Sequence, residues 1–551
     1  MKKRAYLLVY ITAILLLNDC NSAPPEYDKQ EKIRVNSIGY LTDGPKHATL
    51  LTKSSSYTII NCKNGKVILN SKAHGPIYQE DVNDSVYIAD FSNLNVPGTY
   101  CLQTIDGYRS IPFAISDDVY DSAFYTTMRG FYLWRCGTAV EGIYHGDTFR
   151  QKICHTTDGN LKYTEFGDKH KDGTGGWHDA GDHGKYVVNA GITTGMLFLA
   201  WENFKPQLES IDLDIPNTAE SYPDFLKELK WETDWLLKMQ YPDNSGRISH
   251  KLTRLKFSGF IMPSDDTVQR YFTEWGSNAT ANFVGIMAKA YRSFKPYDSA
   301  YAQTCLKAAE KSFNYLLTNP EYVKWDQKEF RTGGYQTKDE GARLWATAEM
   351  WEATGNPDYL KILEERITKS PSKFDYNWDW EDPRNLGFFT YLLSEQKGKN
   401  SEIYKAITDA MISVADSIVE STQTDIYGRP LAKYYWGCNG TVARLASNLF
   451  VAYYITGKEK YKEASREIIS HIFGRNYYGR SYVTGLGYNP PMHPHDRRSG
   501  ADSIVAPWPG YLVGGGHTAT DWVDEERNYS KNEIAINWQA GLVYALAWCL
   551  D

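Results

Sequence analysis

The sequence predicts a mainly α-helical fold in which helical hairpins close into a toroid, preceded by a small β-sandwich of immunoglobulin type. The length of 551 residues exceeds one ordinary domain, so two domains are expected. Residues 32–116 consist of short β-branched and aromatic runs separated by turn residues, which is typical of a sandwich. Residues 118–551 show recurrent helical periodicity with glycine stops and almost no strand pattern, which favours stacked helical hairpins.

The N-terminus reads as an export signal. A basic "MKKR" precedes the apolar run "AYLLVYITAILLLN", which falls short of the about twenty residues of a membrane-spanning helix. We expect a signal peptide over 1–19, acylation of Cys20 as in a bacterial lipoprotein, and a polar linker over 20–31. The expected location is therefore the bacterial outer membrane or cell surface, through a lipid anchor. The alternative is a periplasmic or secreted protein that is cut a few residues later.

The sandwich prediction depends on about seven runs such as "HATLLT", "YTIINC" and "GTYCLQT", with turns at "KNGK" and "VPGT". No cluster of catalytic residue types lies in this region. The cysteines other than Cys20 are odd in number and scattered, so they do not form a disulfide framework. Whether Cys62 and Cys101 pair stays open.

The helical domain is predicted from segments such as "DFLKELKWETDWLLKMQ", in which Phe225, Leu229 and Leu236 recur at helical spacing. "GARLWATAEMWEATG" and "TVARLASNLFVAYYITG" are helical patterns that stop at Gly355 and Gly457, the residue type favoured just past a helix end. The connecting loops are long, and functional residues are usually carried by such loops.

The composition excludes some partners and leaves others open. A net charge of −7 gives no basic footprint for nucleic acid. Aromatic residues make up 14% of the chain, with 16 Trp and 41 Tyr. These rings fit either a large core or a cleft that stacks on the apolar faces of sugars, and composition does not decide between the two.

The segment "GGWHDAGDHGKY" places Asp179 and Asp182 in a glycine-rich loop, each beside a histidine. Two carboxylates at a loop tip can hold one water molecule between them. The alternative is a solvated turn or a calcium loop, because a short motif is weak evidence by itself.

Two further segments carry candidate residues near the C-terminus. Glu533 lies where helical periodicity begins, and beside apolar residues its pKa would rise and make it an acid. The alternative is a glutamate placed at a helix N-terminus by the helix dipole. The proline-rich "SYVTGLGYNPPMHPHDRRS" projects His495 and Arg497 as donors for sugar hydroxyls or anions, or else it is a plain surface loop.

Together these segments resemble glycoside hydrolase family nine, the inverting cellulase-type enzymes, over residues 118–551. "WHDAGDHGKY" is similar to the family's D-A-G-D loop, and "KWETDWLLKMQ", "PSDDTVQRY" and "YYWGCNG" are similar to further landmarks. The sequence departs from the family pattern at Asp496, often His, and at Gln539, normally Asn. The residues that match the two signatures are Ser481, Val483, Thr484, Gly487, Asn489, Pro494, His495 and Arg497, and then Trp522, Asp524, Tyr529, Glu533, Ala535 and Ala540.

The resemblance implies an (α/α)6 toroid and a division of roles. It implies that Asp182 is the general base, that Asp179 helps to hold the attacking water, and that Glu533 is the general acid. An inverting hydrolase needs acid and base about 6.5–9.5 Å apart, with room for water between them. The substrate-binding residues that the resemblance implies are His495, Arg497, Trp436 and Tyr529.

Cys136, Cys154, His155 and His178 form a candidate tetrahedral zinc set. Members of the family branch that carries the sandwich domain hold a structural zinc on a similar pattern. Four protein ligands leave no open position, so the resemblance implies a structural metal that makes the catalytic loop rigid. The alternative is two unrelated buried thiols and loop histidines, and His183 has no assigned role.

A calcium site is a further expectation from the resemblance. "TGGYQTKDE" is similar to a family loop that binds calcium, with Asp339 and Glu340 as candidate ligands and Asp382 from "WEDPRNLG" as a third. Oxygen ligands of this kind suit calcium. The alternative is an acidic pair at a helix N-terminus. No organic cofactor is expected.

The leading prediction is a monomeric, metal-stabilised endo-β-1,4-glucanase that cleaves cellulose-like or xyloglucan-like substrates with inversion. One alternative keeps the scaffold and acts from a chain end, as a β-glucosidase or β-glucosaminidase on short oligosaccharides. Another is a non-catalytic glycan-binding lipoprotein, which would be expected to lack one or more of the three carboxylates that this chain keeps. A zinc hydrolase would need an open metal position, and the four ligands leave none.

Overall fold

The protein is described here by a computed structural model that covers residues 32–216 and 221–550. The predicted signal peptide, Cys20 and the linker lie outside the described residues. Within the described part, no helix has both the length and the apolar character needed to cross a membrane.

The N-terminal region is a sandwich of two four-stranded antiparallel sheets, ordered β1-β2-β6-β5 and β4-β3-β7-β8. Its core contains Tyr40, Phe91 and Phe113 in mutual ring contact. A Cys62–Cys101 disulfide joins the end of β3 to β7, which answers the question that the sequence left open. The eight strands are β1 Ile33–Arg34, β2 His47–Leu50, β3 Ser56–Asn61, β4 Val67–Lys72, β5 His74–Gln79, β6 Asp84–Asp90, β7 Gly98–Thr104 and β8 Phe113–Ile115.

The rest of the chain forms the predicted helical toroid. An inner ring of helices, α2, α5, α7, α9, α11 and α14, closes where α14 contacts α2, and α4, α6, α8, α10, α12 and α1 pack outside it. This is the (α/α)6 arrangement, so the fold prediction is confirmed. The helices are α1 Asp121–Leu133, α2 Val187–Asn203, α3 Lys205–Leu208, α4 Asp224–Lys238, α5 Ser277–Phe294, α6 Ser299–Thr318, α7 Glu340–Thr354, α8 Pro357–Lys369, α9 Arg384–Leu393, α10 Ser401–Thr424, α11 Cys438–Thr456, α12 Lys460–Ile472, α13 Tyr529–Asn532 and α14 Ile536–Ala547.

Inner and outer helices differ in the way they bury their residues. The outer helix α4 buries the predicted face with Phe225, Leu229 and Leu236. The inner helix α7 is buried without interruption from 341 to 351, because neighbours surround it. Gly355 and Gly457 end α7 and α11 with φ of 65° and 66°, the left-handed conformation that glycine adopts without strain.

The helical domain also contains short strands that the sequence pattern did not reveal. A hairpin, β9 with β10, and a five-stranded sheet of order β12-β11-β15-β14-β13 lie among the first loops of the helical domain. The strands of the larger sheet have only two or three residues, which is too short for an alternating pattern to show in the sequence. The additional strands are β9 Val140–Tyr144, β10 Asp147–Gln151, β11 Leu161–Tyr163, β12 His170–Lys171, β13 Lys185–Tyr186, β14 Lys251–Thr253 and β15 Tyr271–Phe272.

The sandwich packs directly against the toroid. Val82 and Val86 share an apolar cluster with Ile426 and Tyr427. Beside this cluster, Nδ1 of His47 lies 2.7 Å from Oε1 of Glu467 in α12. The interface therefore combines buried apolar surface with a partly buried ion pair.

Candidate active site

A cleft of about 660 Å³ lies at one mouth of the toroid. Its residues belong to loops that directly precede the inner helices α2, α5, α7, α9, α11 and α14, or to the first turn of α14. Segments that are far apart in sequence therefore meet at the same end of the ring. The lining residues include Asp179, Asp182, Tyr186, Phe257, Tyr335, Asp375, Asp379, Trp380, Asp382, Tyr435, Trp436, Glu533 and Trp538.

Three predicted segments come together on the floor of this cleft. Ala180 pairs with Ala535 in an antiparallel bridge, and His495 pairs with Glu533 in a parallel one. The backbone N–H of Arg497 donates to the carbonyl of Gly181 over 3.2 Å. Gly181 is required for this approach, because a Cβ at that position would lie 2.1 Å from a backbone oxygen of the 495 segment.

Asp179 is fully enclosed by protein and uses both carboxylate oxygens. Asn189 Nδ2 donates to Oδ1 over 2.8 Å, and Tyr335 Oη donates to Oδ2 over 2.6 Å. Burial raises the pKa of Asp179 well above its usual range, and the charge of Asp182 raises it further. Ionisation of Asp179 is therefore disfavoured beside a charged Asp182.

Asp182 presents its two oxygens differently. Oδ2 accepts hydrogen bonds from the backbone N–H of Gly184 over 2.8 Å and from Tyr186 Oη over 2.9 Å. Among the described residues, no donor is bonded to Oδ1, and the residue lines the cleft. One oxygen is thus fixed by the protein, and the other is available to a water molecule.

Glu533 lies on the opposite segment of the cleft and is partly exposed. It is not a helix N-terminal residue, because its backbone is extended between α13 and α14, which begins at Ile536. Burial raises the pKa of Glu533 well above its usual range, and the charge of Asp182 adds to this effect. A raised pKa favours the protonated form of this carboxyl group, which is the form that can donate a proton.

Of the four predicted substrate-binding residues, Trp436 lines the cleft, and the ring of Tyr529 contacts those of Trp436 and His495. Trp436 and Tyr529 are 46% and 53% exposed, and their ring centroids lie 5.3 Å apart. They offer free aromatic surface. His495 Nδ1 donates to the carbonyl of Glu526 over 2.6 Å, while Arg497 Nη1 donates to the Gly181 carbonyl over 2.7 Å. In this structure Arg497 thus also holds the loop of Asp179 and Asp182.

The two departures from the family pattern are both accommodated internally. Asp496 is buried and forms an ion pair with Arg498, whose Nε lies 3.1 Å from Oδ1. Gln539 donates from Nε2 to the Thr127 carbonyl over 2.7 Å and accepts from the backbone N–H of Leu512 over 3.0 Å. Neither residue is among those that line the cleft.

The four candidate zinc ligands form one buried cluster with all ligand atoms within 4.8 Å of one another. Sγ of Cys136 lies 3.6 Å from Nδ1 of His155, and Sγ of Cys154 lies 4.0 Å from Nε2 of His178. Zinc bonds of about 2.0–2.3 Å give tetrahedral ligand separations of this order. Two thiols and two imidazoles therefore fit a zinc ion in both chemistry and spacing.

Hydrogen bonds on either side of the catalytic loop, which carries Asp179 and Asp182, hold this loop in place. Trp177 donates from its backbone N–H to Glu232 over 2.7 Å and from Nε1 to Glu228 over 2.8 Å. Burial raises the pKa of Glu232 to about 8. Lys185 donates to the carbonyls of Gly173 and Gly175, both over 2.8 Å. The loop is thus anchored on both sides of Asp179 and Asp182.

The three calcium candidates are not grouped in the way that the four zinc candidates are. Asp339 and Glu340 stand at the N-terminus of α7, and Oδ2 of Asp339 accepts from Arg343 Nε over 2.6 Å. Asp382 is paired with Arg384. Of the groups of metal-ligating atoms in the described part of the chain, none contains these three residues. Asp339 and Glu340 fit the acidic pair at a helix N-terminus, and calcium stays a prediction.

Sequence reasoning missed the residues that orient the carboxylates. Tyr186 ends the very motif that carries Asp182, and Tyr335 lies in "TGGYQTKDE", which the sequence associated with calcium. A second tie connects the two tyrosines, since the backbone N–H of Gly333 donates to Tyr186 Oη over 3.2 Å. Both residues are tyrosines in glycine-rich loops. A role for such a hydroxyl can be assigned only when its hydrogen-bond partner is known.

A carboxyl group of raised pKa and a hydrogen-bonded carboxylate, which line one cleft together with aromatic rings, are the combination that defines the class of the glycoside hydrolases. The chain belongs to glycosyl hydrolase family 9, whose model matches residues 120–546. A cellulase N-terminal immunoglobulin-like domain matches residues 28–109.

Individual relatives extend over nearly the whole chain. Endoglucanase D of Acetivibrio thermocellus is 50% identical over 524 residues, which cover 95% of this chain and 84% of that protein. A cellodextrinase of Butyrivibrio fibrisolvens is 31% identical, with coverages of 95% and 100%. A xyloglucan-specific endo-β-1,4-glucanase of Bacteroides ovatus is also 31% identical, with coverages of 95% and 94%.

Solved structures agree with the fold. A metagenome-derived family 9 endoglucanase superposes with a TM-score of 0.87 at 30% identity, over 94% of this chain and 99% of that chain. A Zn-binding triple mutant of the family 9 endoglucanase J30 superposes with the same TM-score of 0.87 at 28% identity, over 93% and 99%.

Proposed function

We propose that the protein is an inverting endo-β-1,4-glucanase. Glu533 protonates the glycosidic oxygen, Asp182 removes a proton from the attacking water, and Asp179 helps to hold that water. The observation that carries this proposal is the contrast between the two sides of the cleft. Glu533 has a strongly raised pKa, whereas Asp182 has one oxygen fixed by two donors and the other unbonded among the described residues.

The reaction follows from this arrangement without a covalent intermediate. Glu533 gives its proton to the leaving oxygen as the glycosidic bond breaks. Water attacks the anomeric carbon from the opposite side as Asp182 accepts its proton, so the anomeric configuration inverts. Observing the product anomers by ¹H NMR immediately after cleavage tests the mechanism. Retained configuration would show that the roles are wrong.

The proposed substrate is a β-1,4-linked glucan. Trp380, Trp436 and Trp538 line the cleft, and exposed rings such as Trp436 bind the apolar faces of sugar units. The endoglucanase relatives support action within the chain, and the cellodextrinase relative supports action on short oligosaccharides. Incubation with carboxymethyl cellulose, xyloglucan, mixed-linkage glucan and cello-oligosaccharides separates these activities. An early fall in viscosity indicates internal cleavage, and glucose as the sole first product indicates action from an end.

We further propose that zinc binds Cys136, Cys154, His155 and His178 and has a structural role. The supporting observation is the buried, preformed set of two thiols and two imidazoles. Bound by these residues, zinc would connect the segment after α1, the turn at 154–155 and the loop that leads to Asp179. Four protein ligands would leave the ion no open position for substrate.

The location is proposed from the sequence. The "LLLNDC" segment supports export with acylation of Cys20. Anchoring by lipid would place the toroid at the bacterial cell surface or outer membrane, where polymeric glucans are met.

A further inference from the structure

Asp266 belongs to the segment "PSDDTVQRY", to which the proposed mechanism gives no role. It follows a one-turn 3-10 helix at Pro263–Asp265 and is only 4% exposed. Its two carboxylate oxygens have different partners. Oδ1 accepts from Arg254 Nη1 over 2.6 Å, and Oδ2 faces two imidazole rings.

The two rings belong to different sites. Nδ1 of His183 lies 3.4 Å from Oδ2 of Asp266, and His183 directly follows Asp182 in the catalytic loop. Nε2 of His155 lies 3.9 Å from the same oxygen. The other nitrogen of His155, Nδ1, faces Cys136 Sγ at 3.6 Å.

These contacts form a compact group. The ring centroids of His155 and His183 lie 5.8 Å apart, and each lies 5.3 Å from that of His178. Nε2 of both His155 and His183 is buried without a hydrogen-bond partner among the described residues. In the described structure, the carboxylate of Asp266 is thus the polar group that both sites share.

A metal-binding histidine usually donates its second N–H to a carboxylate or carbonyl, which fixes the tautomer and the ring orientation. Contacts to catalytic groups are often long in a ligand-free site and shorten when the site is filled. Because Arg254 fixes Asp266 from the side away from the rings, the carboxylate can act as a rigid support for both imidazoles.

We propose that Asp266 is a positioning residue that couples the zinc set to the catalytic loop. Asp266 holds His155 with the proton on Nε2, so that Nδ1 faces the metal, and it holds His183, so that Asp182 keeps its place in the cleft. Ligand atoms of Asp266, His155 and His183 also lie within 4.8 Å of one another, but His155 already belongs to the zinc set, so we assign Asp266 a positioning role and not the role of a ligand. This inference rests on the proposed roles of Asp182 and of the zinc set.

The first test compares Asp266→Asn with Asp265→Asn, the same change at the exposed neighbouring residue. Loss of an outer-sphere partner typically lowers metal affinity or activity about 10–100-fold. For Asp266→Asn we expect kcat to fall about tenfold or more while KM changes less than about twofold, and zinc to pass faster to a chelator. Asp265→Asn should match the wild type in all three quantities.

A double-mutant cycle separates the effect of Asp266 on catalysis from its effect on the zinc set. His183→Gln should lower kcat yet retain zinc as the wild type does, because His183 is outside the zinc set. The double variant Asp266→Asn/His183→Gln should lose no more kcat than the worse single variant, since both changes break one connection. If the two losses in kcat multiply in the double variant, Asp266 does not act on catalysis through His183.

The effect of Asp266 on the zinc set has a readout that is independent of activity. ¹⁵N NMR of the histidine side chains in the zinc-loaded protein should show His155 protonated at Nε2, and Asp266→Asn should shift that signal and leave His47 unchanged. If Asp266→Asn destabilises the fold, Arg254→Gln removes only the support of Asp266 and should give weaker effects in the same direction. Wild-type kcat and wild-type zinc release in both variants would overturn the proposal.

Failure of the proposed function gives a different result. If Glu533→Gln were fully active, the catalytic roles would be wrong, whereas zinc release and the His155 signal would still report on Asp266. Two equivalents of zinc in the wild type, with one lost in Asp266→Asn, would make Asp266 a ligand and would contradict its positioning role.

Discussion

Tyr335 Oη donates a 2.6 Å hydrogen bond to Oδ2 of Asp179 across a sequence separation of 156 residues. Tyr186 makes the equivalent bond to Oδ2 of Asp182 over 2.9 Å. The loop that precedes α7 thus orients a carboxylate that precedes α2, and the catalytic geometry depends on the closure of the helical ring.

We expect Tyr335→Phe to lower kcat about ten- to a hundredfold with little change in KM, because small displacements of catalytic groups reduce rates steeply. Steady-state kinetics on a soluble β-glucan would measure both constants. Tyr78→Phe serves as the matched control, since Tyr78 is 61% exposed on the sandwich. A wild-type kcat in Tyr335→Phe would remove Tyr335 from the catalytic arrangement.

The pH dependence should report on Glu533. Its pKa is raised by burial and then by the charge of Asp182, and the active form of a general acid is the protonated one. Activity should therefore be lost as the pH rises through this raised pKa. A profile of kcat/KM against pH should show this alkaline fall in the wild type.

Glu533→Gln should be nearly inactive on unactivated glucan and should retain more activity on aryl glycosides with acidic leaving groups, which need less protonation. On those substrates the alkaline fall should be absent. The exposed Glu525 provides the control variant Glu525→Gln. Hydrolysis of natural glucan by Glu533→Gln at the wild-type rate would show that another group is the acid.

The zinc proposal predicts about one equivalent of zinc in the purified protein. Cys154→Ser should lower both Tm and kcat although Cys154 is not among the cleft-lining residues, because the loop of Asp179 and Asp182 loses its cross-link. Cys305→Ser changes another buried free thiol, in α6, and should keep its zinc. Folded, active protein without zinc would rule out the site.

The time course of chelation distinguishes a structural ion from a catalytic one. A structural ion should resist chelator until the protein is warmed, and activity should then fall together with the folded signal. Immediate loss of activity in protein that stays folded, with rapid recovery when zinc is added, would instead indicate a catalytic metal.

The interface between sandwich and toroid should weaken at alkaline pH. Burial by itself lowers the pKa of His47, but the facing carboxylates of Glu467 and Asp90 raise it to about 9, against the opposing charge of Arg475. A raised pKa contributes stability that is fully present below the unfolded value of about 6.5 and is lost as the pH rises through about 9. Tm should therefore fall over this range.

The variant His47→Gln should have a lower Tm than the wild type at pH 6 and should lack most of this decline toward pH 9.5. His145→Gln, at an exposed site in the turn between β9 and β10, should behave as the wild type does. Parallel Tm curves for wild type and His47→Gln would show that His47 does not set the pH dependence.

The lipid anchor is tested at Cys20. Cys20→Ala should move the protein from the membrane fraction to the soluble fraction, because the acylated thiol is absent. Metabolic labelling with a palmitate analogue should mark the wild type and leave the variant unlabelled. Identical fractionation and labelling of both forms would remove the proposed anchor.

Much of the fold was accessible from local patterns. Gly355 and Gly457 mark helix ends in the sequence because a left-handed residue is needed there, and α4 shows its buried face as a 3.6-residue period. The five-stranded sheet was missed because strands such as Lys185–Tyr186 and Tyr271–Phe272 are too short to show a period and pair with distant segments.

The sequence by itself determined which residue types are available for chemistry: Asp179, Asp182 and Glu533 stand out in glycine-rich or signature segments, and two thiols with two imidazoles suggest a metal. Only the tertiary structure decided how they work together. Tyr335 and Asp266 contact Asp179 and His183 from other loops, while Tyr186 bonds to Asp182 within the same loop. A carboxyl pKa depends on burial and on neighbouring charges, and both arise only when the ring of helices closes and brings loops from its whole circumference to one mouth.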